Sequence, residues 1–163
     1  MGSRHFIPTI IVSGFPAIGK SYIAKKFPVM VRDLESSDFH WVINNDSKVE
    51  NEKWPGNYIE SIKLLSKSGM YRMVCVSGHE YIRNLMASEK IPYTNVFPEN
   101  TKEMKNIILE RCRLRKSSPE FIKNLDENWD SYIESMKNDP GATAIVQLTT
   151  QTIEMWSAWG LME

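Results

Sequence analysis

Gly14-Phe15-Pro16-Ala17-Ile18-Gly19-Lys20-Ser21 satisfies the pattern G-x-x-x-x-G-K-[ST] at every specified position. The chemistry of such a run is anion binding. Glycines allow a tight turn whose amide hydrogens converge on a phosphate at the positive end of the helix that follows. Lys20 would then reach the β- and γ-phosphates, and the Ser21 hydroxyl would ligate Mg²⁺. Gly14, Pro16, Ala17, Ile18, Gly19, Lys20 and Ser21 form the candidate triphosphate cradle. The plainer alternative is a glycine-bearing turn between a strand and a helix.

Two further groups of residues could complete a phosphoryl transfer. Asp33-Leu34-Glu35-Ser36-Ser37-Asp38 follows a short apolar run. Asp33 could accept a proton from an acceptor hydroxyl or hold a Mg²⁺-bound water, and Glu35 or Asp38 could share either task. A solvated acidic turn is the competing reading. Arg111 and Arg115 stand four apart and share a face of any continuing helix, with Arg113 between them. Together they could clamp phosphates and offset charge in the transition state, unless they only pair with Glu103 or Glu110 at the surface. His79 and Arg83 are candidates for holding a substrate phosphate or base, and Trp41, Trp54 and Tyr58 for stacking on one.

The elements that must position these groups are legible in the apolar pattern. Phe6 to Ser13, Val29 to Asp33, Met73 to Ser77, Tyr93 to Phe97 and Thr143 to Leu148 read as five strands. Helical stripes separate them. Ser21 to Phe27 opens after the loop, and Tyr58 to Lys67 and Tyr81 to Glu89 flank the third strand. A helix capped by Asn100 with Glu103 runs into the arginines. Ser118 and Pro119 open a helix carrying Ile122, Leu125, Trp129, Tyr132, Ile133 and Met136, and Thr152 to Trp159 closes the chain. Strands joined through helical crossovers pair in parallel, so the expected class is α/β with two helical layers. Residues 34–58 read as an insertion and 111–118 as a lid on a single domain spanning 1–163.

Composition narrows the possible partners. Twenty Lys plus Arg balance twenty Asp plus Glu, so no overall field draws the chain to nucleic acid or anionic lipid. Hydrophobic residues at 42% and charged residues at 25% fit a globular domain and exclude disorder. No apolar run approaches the roughly 18 residues that a membrane span requires. Cys75 and Cys112 lack metal or redox spacing, which fits a reduced, cytoplasmic protein. A guanine-reading N-K-x-D is absent, and so is an Asp-Glu pair after the third strand, which disfavours Ras-like GTPases and motor ATPases.

The G-F-P-x-x-G-K-S loop, Asp33 with Ser36-Ser37, Asn57-Tyr58-Ile59, Ser77-Gly78-His79, and the arginines ahead of Asp126-Glu127-Asn128-Trp129 together resemble the small phage and prophage P-loop nucleotide kinases, relatives of adenylate kinase. The resemblance implies a three-layer α/β/α P-loop NTPase sandwich with five parallel strands in the order 2-3-1-4-5. It further implies ATP and Mg²⁺ as cofactors, a (deoxy)nucleoside monophosphate as acceptor, and, for a phage-encoded chain, the host cytoplasm. Arg111 would contact ATP and act in catalysis with Lys20, Asp33 and Arg115. Glu35, Ser37, Asp38, His79, Arg83 and Arg113 would hold the substrate. The third strand does not lead into the aspartate-glycine-phenylalanine-proline-arginine run of adenylate kinases, so the acceptor base stays open. A kinase of a modified base in DNA or of another small alcohol would share the same machinery, with nucleic acid entering only as phosphoacceptor. A non-catalytic ATP-binding module is the contrasting class.

Overall fold

Consecutive residues of the central strands bury their side chains on opposite sides, which is why these runs are mostly apolar. In β1 (Ile10–Gly14), Ile11 packs into one core and Val12 into the other. In β5 (Met73–Ser77), Met73 and Cys75 face the first core, and Val74 and Val76 the second. The computed structural model describes residues 8–154. The beginning of the first expected strand, the end of the closing helical segment, and Trp156 and Trp159 lie outside the described residues.

β1 lies at the centre of a parallel sheet, with Ile10 opposite Met73 and Gly14 opposite Ser77. β2 (Val31–Asp33) adds to the far edge of β5, while β6 (Thr94–Pro98) and β7 (Ala144–Leu148) extend the other side. The order β2-β5-β1-β6-β7 is the expected 2-3-1-4-5 once the two strands of an inserted hairpin are passed over.

One helical layer contains α1 (Lys20–Lys26), α5 (Lys102–Leu114), α6 (Pro119–Glu127) and α7 (Trp129–Lys137). The other contains α3 (Gly56–Ser68) and α4 (Glu80–Ser88). Among the described residues, no helix is long and apolar enough to cross a membrane.

Two local expectations need correction. Thr101, not Asn100, caps α5, and its Oγ1 accepts from the Met104 amide at 3.1 Å. Asn100 is engaged elsewhere, accepting from the buried Trp129 indole at 2.8 Å. The single helix expected after Pro119 breaks at Asn128, whose amide side chain donates back to the Asn124 carbonyl at 2.9 Å. Such local bonding competes with the helical ladder and resets its direction.

The insertion is more regular than its polarity suggests. A short α2 (Ser37–His40) leads into a hairpin of β3 (Trp41–Asn44) and β4 (Ser47–Glu50), turned by Asn45 and Asp46 at φ 50° and 64°. Positive φ at both turn residues is what a two-residue hairpin turn demands.

Candidate active site

The phosphate loop is built by burying two of its unspecified residues. Phe15 and Ile18 are 1% and 0% exposed, and Phe15 meets the Trp129 ring edge-on at 5.3 Å. These anchors fix the loop to the core, while Pro16, Ala17 and Gly19 line a cavity above it. Gly19 has φ 111°, a left-handed conformation that favours glycine, and Ala17 turns the loop at φ 61°. A Cβ at Gly14 would stand 2.6 Å from Lys20 Cδ, so the glycine gives the lysine its path across the strand end. Lys20 Nζ donates to the Gly14 carbonyl at 2.8 Å, and burial lowers its pKa from the ordinary lysine value.

Asp33, at the end of β2, accepts a 2.8 Å hydrogen bond from Ser21 Oγ. The pair places one carboxylate and one hydroxyl beside the loop. No cluster of three or more metal-ligating side chains occurs among the described residues. One or two protein oxygens beside a phosphate site fit Mg²⁺, which keeps its other positions for water and substrate. Glu35 lines the same cavity; desolvation, followed by the charge of Asp33, raises its pKa above the usual carboxylate range.

The cavity has a volume of about 1240 Å³, larger than the roughly 300–1,000 Å³ of a pocket for one small ligand. It has room for more than one small ligand. Ser36, His40 and Trp54 line it from the insertion, His79 from the turn after β5, and Arg111 and Arg115 from the end of α5. His79 sits on the exposed rim, where partial desolvation, then Lys20 and Arg83, lower its pKa.

Several expected contacts are not made. Ser37 and Asp38 are exposed on α2 and do not line the cavity. Arg113 turns away to pair with Glu110 at 3.2 Å, with both side chains more than half exposed. Helix geometry explains the difference: Arg111 lies on the face that meets the phosphate loop, donating to the Ala17 carbonyl at 3.1 Å and pairing with Glu154. Arg115 lies just past the helix end, bonded to Ser117 and set over the Phe121 ring. Tyr58 is no stacking platform. It is fully buried, donating to the Leu34 carbonyl at 2.7 Å and accepting from the Ser77 amide at 3.0 Å, which ties the ends of β2 and β5 together. Trp41 and Trp54 instead sandwich His40, at 4.2 Å and 4.3 Å between ring centroids.

Arg83 requires the largest correction. It reaches the cavity wall but is 2% exposed and fully engaged within the protein. Its guanidinium pairs with Asp139 at 2.8 Å and donates to Ser135 and to the Gly78 carbonyl. Asp139 also accepts from Tyr93 at 2.8 Å and from Asn95 at 3.0 Å. Burial alone would raise the pKa of Asp139, but these bonds outweigh it and hold the pKa below the ordinary aspartate value. Asp139 was not among the candidates read from the sequence, because its partner lies 56 residues away.

Removing Arg83 leaves this carboxylate buried and unpaired, so Arg83→Ala should destabilise the fold by about 3–5 kcal/mol in urea titration. A carboxyl whose pKa is depressed in the native state stabilises fully above its unfolded value, about 3.9, and loses that contribution as pH falls through the native value. The parent should therefore show an acid-dependent loss of stability below about pH 4 that Asp139→Asn removes.

The five-stranded parallel sheet between two helical layers, with the glycine-rich loop at the end of its central strand, is a three-layer α/β/α fold of the P-loop NTPase type. No family model and no curated protein matches the chain. Among solved structures, it is similar to a gluconokinase from Sinorhizobium meliloti 1021, at 18% identity over 97% of this chain and 87% of the other, with a TM-score of 0.47.

Proposed function

We propose that the protein is an ATP- and Mg²⁺-dependent phosphotransferase acting on a small hydroxyl-bearing acceptor. The observation that carries this reading is the convergence of Lys20, the Ser21–Asp33 pair, Glu35 and Arg111 on one cavity with room for two ligands. Bound ATP would supply the activated phosphoryl group and Mg²⁺ the neutralising charge.

The chain's own residues would do the rest. Lys20 exchanges the Gly14 carbonyl for phosphate oxygens, and Asp33 with Ser21 holds the metal side. Glu35, on the lining of the same cavity, accepts the proton of the acceptor hydroxyl. Its raised pKa brings its basicity closer to that task than an ordinary glutamate. Arg111 and Arg115 act as a lid that closes on the transferred charge.

The acceptor expected from the sequence is a nucleoside monophosphate, and a specific observation favours an uncharged alcohol instead. The two arginines expected to hold an acceptor's phosphate are both diverted, Arg83 to Asp139 and Arg113 to Glu110. Glu35, Ser36, His40 and Trp54 suit a hydroxyl-bearing ring without a phosphate.

Labelled ATP offered with nucleoside monophosphates, free nucleosides, sugars, polyols and DNA tests both points. Transfer to uncharged alcohols supports the second acceptor class, and transfer only to monophosphates restores the first. Tight ATP binding with neither transfer nor hydrolysis would make the protein a nucleotide-binding module.

The lid has its own test. Arg111→Ala should lower kcat about a hundredfold through loss of one charge-assisted contact in the closed site. Arg113→Ala should change it by less than about threefold, because an exposed ion pair contributes little. Single-turnover transfer for Arg111→Ala, Arg113→Ala and Arg115→Ala decides; equal effects at Arg111 and Arg113 would dismiss the lid.

A further inference from the structure

The buried pair of Arg83 and Asp139 reaches the phosphate loop through one backbone contact. Arg83 Nε donates to the Gly78 carbonyl at 3.0 Å, while Nη1 is held by Asp139 at 2.8 Å and by the Ser135 carbonyl at 3.1 Å. Asp139 is fixed in turn by Tyr93, Asn95 and the Gly141 amide, which donates to its Oδ1 at 3.0 Å. The guanidinium is thus a plank between the end of α7 and the turn after β5.

Gly78 lies directly against Gly14. A Cβ on Gly78 would stand 2.7 Å from the Gly14 carbonyl oxygen and 3.1 Å from its carbon, with Met136 Cε at 3.3 Å. That same oxygen accepts the Lys20 ammonium at 2.8 Å. A planar fork with a fixed array of donors can hold several backbone and side-chain acceptors in register, which a flexible ammonium cannot.

We infer that Arg83 and Asp139 are positioning residues that hold the Gly78 backbone against Gly14 and so set the phosphate loop and Lys20. The catalytic consequence rests on the phosphotransferase reading, whereas the placement of the loop does not. Neither residue needs to touch a ligand, because a displacement of about 1 Å in a positioned group is enough to impair a site.

Two changes in the full chain test this from opposite sides. The double variant Arg83→Gln/Asp139→Asn removes both charges together and leaves no unpaired ion. Gly78→Ala keeps the ion pair and drives a methyl group into the Gly14 carbonyl. Thermal melting, equilibrium ATP binding and the ¹⁵N amide resonances of Gly14 and Gly19 would be recorded for each.

The expected result is a cooperative melt, displaced Gly14 and Gly19 resonances, and ATP affinity reduced by up to about a hundredfold in both variants. Unmoved resonances with ATP affinity within about threefold of the parent in the folded variants would overturn the inference, as would a loss of binding that merely follows the loss of folded protein. Should the double variant not fold, Arg83→Lys decides by the same criteria, since it keeps a charge opposite Asp139 but lacks the planar fork that also reaches Gly78. A parent that fails to bind ATP would overturn the phosphotransferase reading alone, and movement of the two glycine resonances would then decide the positioning role.

Discussion

Lys20→Ala lowers phosphoryl transfer by about a thousandfold, the upper range for removing a charge donor from a closed site. The melting transition moves little, since the lysine makes one described hydrogen bond, to the Gly14 carbonyl, and is not among the core residues. The two measurements must separate. Parallel loss of fold and rate would make Lys20 a structural residue, and an unchanged rate would remove the phosphate loop from the mechanism.

Lys20 also carries a pH signature. Its pKa lies below that of an ordinary lysine in the ligand-free protein, chiefly through desolvation, with Cys75, Asp33 and Glu35 opposing the shift and Arg115 adding to it. The charged form is the one that attracts phosphate. ATP affinity should therefore be greatest below that lowered pKa and fall as pH rises through it. Lys20→Met should abolish this dependence, which equilibrium binding across alkaline pH would detect.

Glu35→Gln and Asp33→Asn each lower kcat by about two to four orders of magnitude, the range for removing a positioned proton acceptor or its equivalent. Their signatures should differ. Asp33 bonds to Ser21 beside the loop, so Asp33→Asn should raise the Mg²⁺ concentration needed for half-maximal rate. Glu35→Gln should leave that concentration unchanged and remove the acidic limb of the rate profile.

The position of that limb follows from the sign of the shift. A base works deprotonated, and the pKa of Glu35 lies above the ordinary value of about 4.3. Activity should rise with pH through a point above that value in the parent and not in Glu35→Gln. A shifted Mg²⁺ requirement in Glu35→Gln, with the limb retained, would exchange the roles of the two carboxylates.

The features legible in the sequence were those whose cause is local. Gly14 to Ser21 is contiguous, and its glycines, lysine and serine carry their conformational and chemical meaning within one turn. The apolar strands and the helical stripes between them led directly to a parallel sheet, since such crossovers leave few other topologies. Residues 34–58 were legible only as an insertion, with no hairpin in it, because its strands pair with each other and β4 is exposed throughout.

Tertiary structure decided which charges are available. Arg83, Arg111 and Arg113 look alike along the chain, each a cation beside a predicted element. One is neutralised by Asp139, one meets the Ala17 carbonyl at the phosphate loop, and one faces solvent beside Glu110. Local conformation depends on neighbours within a few residues, so the chain by itself determined the loop and the sheet. The partner of a charge depends on which helix faces pack, and only the folded arrangement brings Asp139 to Arg83 and turns Arg111 toward the cavity.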